Sequence, residues 1–112
     1  MRRIALVLGI LAAPLHAQDW KQATEAEIAD FLTGRVVEYA SAWQKFYSSG
    51  RTLYHAGPDS WGNWLLRDDQ YCSRWPPSGL WDCYEVWLKT PNNIRFVGTD
   101  GSHSDGVRRP AP

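Results

Sequence analysis

The sequence predicts a mainly β domain with a minor helical part. One N-terminal helix should be followed by an antiparallel meander of about six to eight short strands, forming a curled sheet or small barrel with one hairpin disulfide. Three observations carry this reading. The only two cysteines, Cys72 and Cys83, sit in alternating, aromatic-rich runs either side of Pro76-Pro77-Ser78-Gly79. From Arg35 onward, short aromatic and β-branched runs recur between Gly, Pro, Asn and Asp turn signals. Only one stretch, ahead of those runs, has a helical period.

Residues 1–17 read as a secretory signal peptide. Arg2 and Arg3 form a positive start, and Ile4 to Ala13 is an apolar run too short to span a bilayer. Pro14 breaks the run, and Leu15-His16-Ala17 places cleavage before Gln18. The remaining residues, 18–112, make one small β-rich domain, with 103–112 expected as a last short strand passing into a flexible tail. The expected location is periplasmic or secreted, and two cysteines in an exported chain are expected to be oxidised. Without Arg2 and Arg3 the chain has ten basic against twelve acidic side chains, a net charge of −2. That balance offers no basic stripe for nucleic acid and no polybasic patch for a membrane surface. A monomer without stable membrane insertion after cleavage is expected.

The helix falls within Asp19 to Arg35. Thr24 and Glu27 have capping-box spacing, Ile28, Phe31 and Leu32 make one apolar stripe, and Gly34 suits the position after the helix. Strands are expected at 35–40, 42–47, 51–56, 60–66, 69–75, 81–88 and 93–99. Arg67-Asp68-Asp69 reads as a tight hairpin turn. Opposing Cys72 to Cys83 pairs Tyr71 with Tyr84 and Ser73 with Asp82. Tyr71, Trp75, Leu80, Tyr84, Val86 and Leu88 then share a core face. Gln70, Arg74, Trp81, Glu85 and Trp87 share the disulfide face. Closing this loop should contribute roughly 3 kcal/mol by the chain-entropy model, which matters to so small a core.

Five of the seven tryptophans lie between Trp61 and Trp87. Large rings can fill a thin β core, or they can stack on sugars and grip partners. On the disulfide face Arg74, Trp81, Glu85 and Trp87 form the candidate binding patch. An Arg74–Trp81 cation–π contact is the structural alternative for part of it.

Chemical motifs are weak. Gly57-Pro58-Asp59-Ser60-Trp61-Gly62 is one residue wrong for a nucleophile elbow. His55 beside Asp59, or His103 beside Asp100 and Asp105, could serve a small hydrolase or a metal-dependent enzyme only if the histidine met a carboxylate across a cleft. The run Asp100 to Gly106 is rich in oxygen ligands, but an EF-hand wants Gly at the sixth position and Glu at the twelfth, where Asp105 and Ala111 stand. No catalytic residue, metal site or cofactor site is assigned. The leading expectation is a non-catalytic module that binds a protein, a glycan or a small apolar ligand through an aromatic sheet face or a barrel mouth.

One set of residues carries a resemblance. Leu32-Thr33-Gly34, Gly50-Arg51-Thr52-Leu53-Tyr54, Gly62-Asn63-Trp64, Tyr71-Cys72, Cys83-Tyr84 and Asp100-Gly101 together resemble the DUF995-like family of small exported alphaproteobacterial proteins. The resemblance covers most of the chain after the signal and implies export without implying an activity. It also brings with it the name of a dihydrodipicolinate reductase, which these residues do not support. There is no G-x-G-x-x-G after a strand and no room for a βαβ unit.

Overall fold

The computed structural model describes residues 20–111, so the expected signal peptide lies outside the described residues. In chain order the elements are β1 (Lys21–Gln22), α1 (Glu25–Leu32), β2 (Val36–Glu38), β3 (Trp43–Phe46), β4 (Arg51–His55), β5 (Asp59–Arg67), β6 (Gln70–Arg74), β7 (Asp82–Lys89), β8 (Asn93–Val97) and β9 (His103–Arg108). Strands β2 to β9 pair antiparallel with their sequence neighbours. The ring closes where Val107 and Arg108 of β9 face Glu38 and Val37 of β2. The fold is therefore a closed eight-stranded up-and-down barrel, the closed form of the predicted meander. Closure leaves none of these strands as a free edge.

Strand β1 is an addition that the sequence did not announce. It pairs Lys21 with Leu88 and Gln22 with Trp87, on the edge of β7 beyond the point where β6 ends. Residues 103–108, within the stretch expected as a last short strand passing into a tail, form strand β9, and this strand closes the barrel. Its alternation was hard to read because the inward positions are Ser104 and Gly106 rather than apolar side chains.

The hairpin register is the one read from the sequence. Cys72 faces Cys83, Tyr71 faces Tyr84 and Ser73 faces Asp82. The disulfide is formed, with the two Cα atoms 4.0 Å apart. Tyr71 and Val86 lie in the core, and Tyr84 and Leu88 pack against it. Leu80 is a correction. It sits in the loop before β7 and is 75% exposed, because the turn carries it off the strand pattern.

Helix α1 forms as its caps dictate. The Glu27 amide donates to the Thr24 hydroxyl, and the Glu27 carboxylate accepts from the Thr24 amide at 2.9 Å. A further orphan donor, the Glu25 amide, donates to Asp69 Oδ1 at 2.7 Å. Asp69 is free to do so because Asp68 and Asp69 turn the β5–β6 hairpin with φ of 54° and 59°. Gly34 follows the helix at φ 75°. The buried stripe Ile28, Phe31 and Leu32 joins Val37, Phe46, Trp64, Ile94 and Phe96 in one core.

A meander places successive turns at opposite ends of the barrel. The end with the turns at 47–50, 68–69 and 90–92 is closed by α1. Arg108 fastens the helix there, donating to the Phe31 carbonyl at 3.2 Å and to Asn92 Oδ1, with its guanidinium 4.1 Å from the Phe31 ring centre. The end with the turns at 39–42, 56–58 and 75–81 has no helix over it among the described residues.

Candidate functional site

At that second end the barrel interior opens into a cavity of about 990 Å³. Interior-facing positions of neighbouring strands supply its wall. Tyr39 follows β2, Gln44 lies on β3, Tyr54 on β4, Tyr71 and Ser73 on β6, and Phe96 on β8. Trp75, just past β6, and Tyr84 of β7 complete it. Six of these rings run in an unbroken chain around the wall. The centroid separations are 6.1 Å for Trp75–Tyr54, 6.1 Å for Tyr54–Tyr39 and 6.5 Å for Tyr39–Phe96. They continue at 5.0 Å for Phe96–Tyr71 and 6.1 Å for Tyr71–Tyr84. These are ordinary tilted or edge-to-face contacts, which stiffen the wall as well as coat it.

Two glycines make room for the rings. A Cβ at Gly62 would lie 2.6 Å from the Trp75 ring, and one at Gly106 would lie 3.1 Å from the Tyr39 ring and 2.5 Å from Val37. Inward positions that carry no side chain thus let Trp75 and Tyr39 lie against the sheet and leave the lumen open.

The inner end of the cavity is polar. Gln44 and Tyr71 line it and are themselves buried, at 5% and 4% exposure. The Gln44 carbonyl accepts from the Tyr39 hydroxyl at 2.8 Å. Its amide donates to Thr52 at 2.9 Å and to the Tyr71 hydroxyl at 3.1 Å. The Thr52 hydroxyl donates a hydrogen bond to the Lys45 carbonyl at 2.8 Å. Gln44 is fully satisfied, as a buried amide must be. Burial pushes the Tyr71 phenol up to about 12, against hydrogen bonds from Ser73 and Gln44 that pull it down. Burial also raises the Tyr39 phenol, helped by the neighbouring Tyr71 and Tyr54. Both phenols are therefore neutral across ordinary pH. No lysine, arginine or histidine lines the cavity among the described residues. Its two carboxylates, Asp59 and Asp105, are exposed at the rim and already paired. Asp59 meets His55 at 2.6 Å, and Asp105 takes two hydrogen bonds of 2.8 Å from Arg95.

The residues singled out in the sequence lie elsewhere. Arg74 stacks on Trp81, 4.7 Å from its ring centre, which is the cation–π contact named as the alternative for that pair. Glu85 accepts from the Trp87 indole at 3.3 Å. The two pairs are not brought together. Trp81 and Trp87 lie six residues apart along the chain, roughly 20 Å in extended geometry, and both rings are half-buried. Among the described residues the exposed tryptophan is Trp61, flanked by Arg51 at 4.2 Å.

The two histidines among the described residues each find a carboxylate, but on their own hairpin or strand rather than across a cleft. His55 stacks on Trp43 at 5.0 Å and bonds Asp59, four residues on. His103 lies 3.1 Å from Asp105 on the same strand. Asp100 accepts from the amide and hydroxyl of Ser102, which hold its carboxyl below the usual carboxylate range. No three potential metal ligands converge among the described residues.

Sequence reasoning missed Tyr39, Gln44, Tyr54 and Phe96 as wall residues. Gln44 carried a signal: it is the polar member of the set that shares its face with Phe46 on β3. Comparison with family models, with curated proteins and with solved structures returned no match.

Proposed function

We propose that this protein is a non-catalytic binding module that holds a small apolar ligand in the barrel mouth. The observation that carries the reading is the cavity itself: about 990 Å³, coated by a chain of six aromatic rings, at the end opposite the helix. Barrels of eight strands are wide enough to hold one small ligand, and the volume is at the upper end of the range for small-molecule sites. Among the described residues, both rim carboxylates are paired and no nucleophile and base converge in the cavity, which favours binding over catalysis. The resemblance to exported proteins and the disulfide support a working place in the periplasm or outside the cell, where such bonds persist.

The test is titration with Nile red, a neutral apolar dye whose emission brightens on leaving water. The unmodified chain is compared with Ser104→Trp, which puts a ring into the mouth from β9, and with Trp81→Ala/Trp87→Ala on the outer face. Saturable binding that only Ser104→Trp abolishes supports the mouth. Binding that only the outer-face variant loses moves the site to the sheet exterior and refutes the proposal.

A further inference from the structure

The ligand's class can be read from what the cavity offers and what it withholds, an inference that rests on the proposed binding role. Every polar side chain at the inner end is neutral, and the donors there can be followed one by one. Tyr39 gives its proton to Gln44, Thr52 gives its own to Lys45, and both Gln44 amide protons are spent on Thr52 and Tyr71. The Tyr71 hydroxyl accepts from Gln44 at 3.1 Å and the Ser73 hydroxyl from the Trp75 indole at 3.3 Å. Both residues line the same cavity from β6. Even if one hydroxyl donated to the other, one hydroxyl proton on this pair of residues, at most 4% exposed, has no acceptor among the described residues. A buried donor of this kind is costly unless something accepts from it.

Around that donor the walls are flat rings, and no cation lines the space among the described residues. A carboxylate amphiphile such as a fatty acid would have to bury its charge without a partner, or leave it at a rim that already carries Asp59 and Asp105. We propose that the cavity takes a neutral, planar aromatic molecule carrying one carbonyl-type acceptor, which receives the Tyr71–Ser73 proton while its rings lie between Trp75, Tyr54 and Phe96.

The experiment uses the oxidised chain and three probes: flavone, which is neutral, planar and has one carbonyl; 2-phenylnaphthalene, a hydrocarbon of similar shape; and oleate. Binding is read by quenching of intrinsic tryptophan emission. Flavone is expected to bind at least about 10-fold more tightly than oleate. The Tyr71→Phe/Ser73→Ala double variant, which removes both hydroxyls, is expected to weaken flavone about 3–10-fold, the range of one hydrogen bond, and to leave 2-phenylnaphthalene unchanged. Circular dichroism checks that the variant folds. Should it not fold, the flavone-to-oleate comparison decides alone. Oleate binding as tightly as flavone, or both aromatic probes weakening equally in the variant, overturns the ligand class and leaves the binding role standing. If no probe binds, or all bind equally well to Ser104→Trp, the binding role itself fails.

Discussion

Gly62→Ala tests how tightly the cavity wall is built. The added Cβ would lie 2.6 Å from Trp75 Cε3 and 2.7 Å from the Arg74 carbonyl oxygen. Ordinary contact begins near 3.4 Å, so the two overlaps are about 0.8 and 0.7 Å. The ring could swing away into the cavity, but the carbonyl belongs to the strand end where Asn63 faces Arg74. Relief therefore requires separating β5 from β6 there. Overpacking of this kind costs typically 1–3 kcal/mol, and for a domain of this size each kcal/mol lowers Tm by roughly 4–8 °C. Urea denaturation of the purified oxidised chain would measure it. Gly79→Ala is the control, because nothing lies within 4 Å of its Cβ and such surface changes stay within about ±0.5 kcal/mol. In a Trp75→Ala background the Gly62→Ala penalty should shrink without vanishing, since the carbonyl clash remains. A double-mutant cycle should then show a coupling of about 0.5–2 kcal/mol. A Gly62→Ala cost no larger than the Gly79→Ala control would refute the claim that Trp75 lies against β5.

Three other outcomes follow from the same geometry. Replacing Cys72 and Cys83 together by Ala should remove about 3 kcal/mol by the loop-entropy model, read as a lower urea midpoint that added reductant no longer changes. The hydrogen bonds from Arg95, assisted by His103, hold the Asp105 carboxyl below its ordinary value of 3.8. Its stabilising contribution is present above that ordinary value and lost as pH falls through the lower folded value. Because the pair is part exposed, Asp105→Asn should cost only about 0.2–1 kcal/mol at neutral pH, and the difference should disappear in acid titration of the urea midpoint. Tyr71 has the opposite sign. Its folded value near 12 stands above the ordinary 10.0, so its contribution is intact below pH 10 and lost as pH rises toward 12. Tyrosinate absorbance from Tyr71 and Tyr39 should therefore appear together with loss of the near-ultraviolet circular dichroism, and its appearance in a still-folded chain would contradict their burial.

Much of the fold was legible because local signals were strong and agreed. The capping box at Thr24 and Glu27 fixed the helix start, and Ile28, Phe31 and Leu32 fixed its buried face. Two cysteines in alternating runs fixed the β6–β7 register, since a one-residue slip would have turned Tyr71 and Val86 outward. Strand β9 was harder. The inward position 106 is a glycine because Val37 of β2 and Tyr39 just after it, some seventy residues earlier, fill that space. Strand β1 has two residues, too few for any period. The cavity was the least legible part. Alternation says which side chains share a face, but it does not say that Tyr39, Tyr54, Tyr71 and Phe96 meet around one lumen. That depends on closure between β9 and β2, a long-range pairing. Trp81 and Trp87 stand out in sequence, whereas the cavity wall is built mostly from tyrosines spread over several strands.

The central claim is that the barrel mouth is the binding surface, and amide chemical-shift mapping during a titration with Nile red tests it most directly. The account predicts saturable shifts at Gln44, Tyr54, Ser73 and Phe96, with Trp81 and Trp87 unmoved. Shifts confined to Trp81, Glu85 and Trp87, or none at saturating dye, would contradict it.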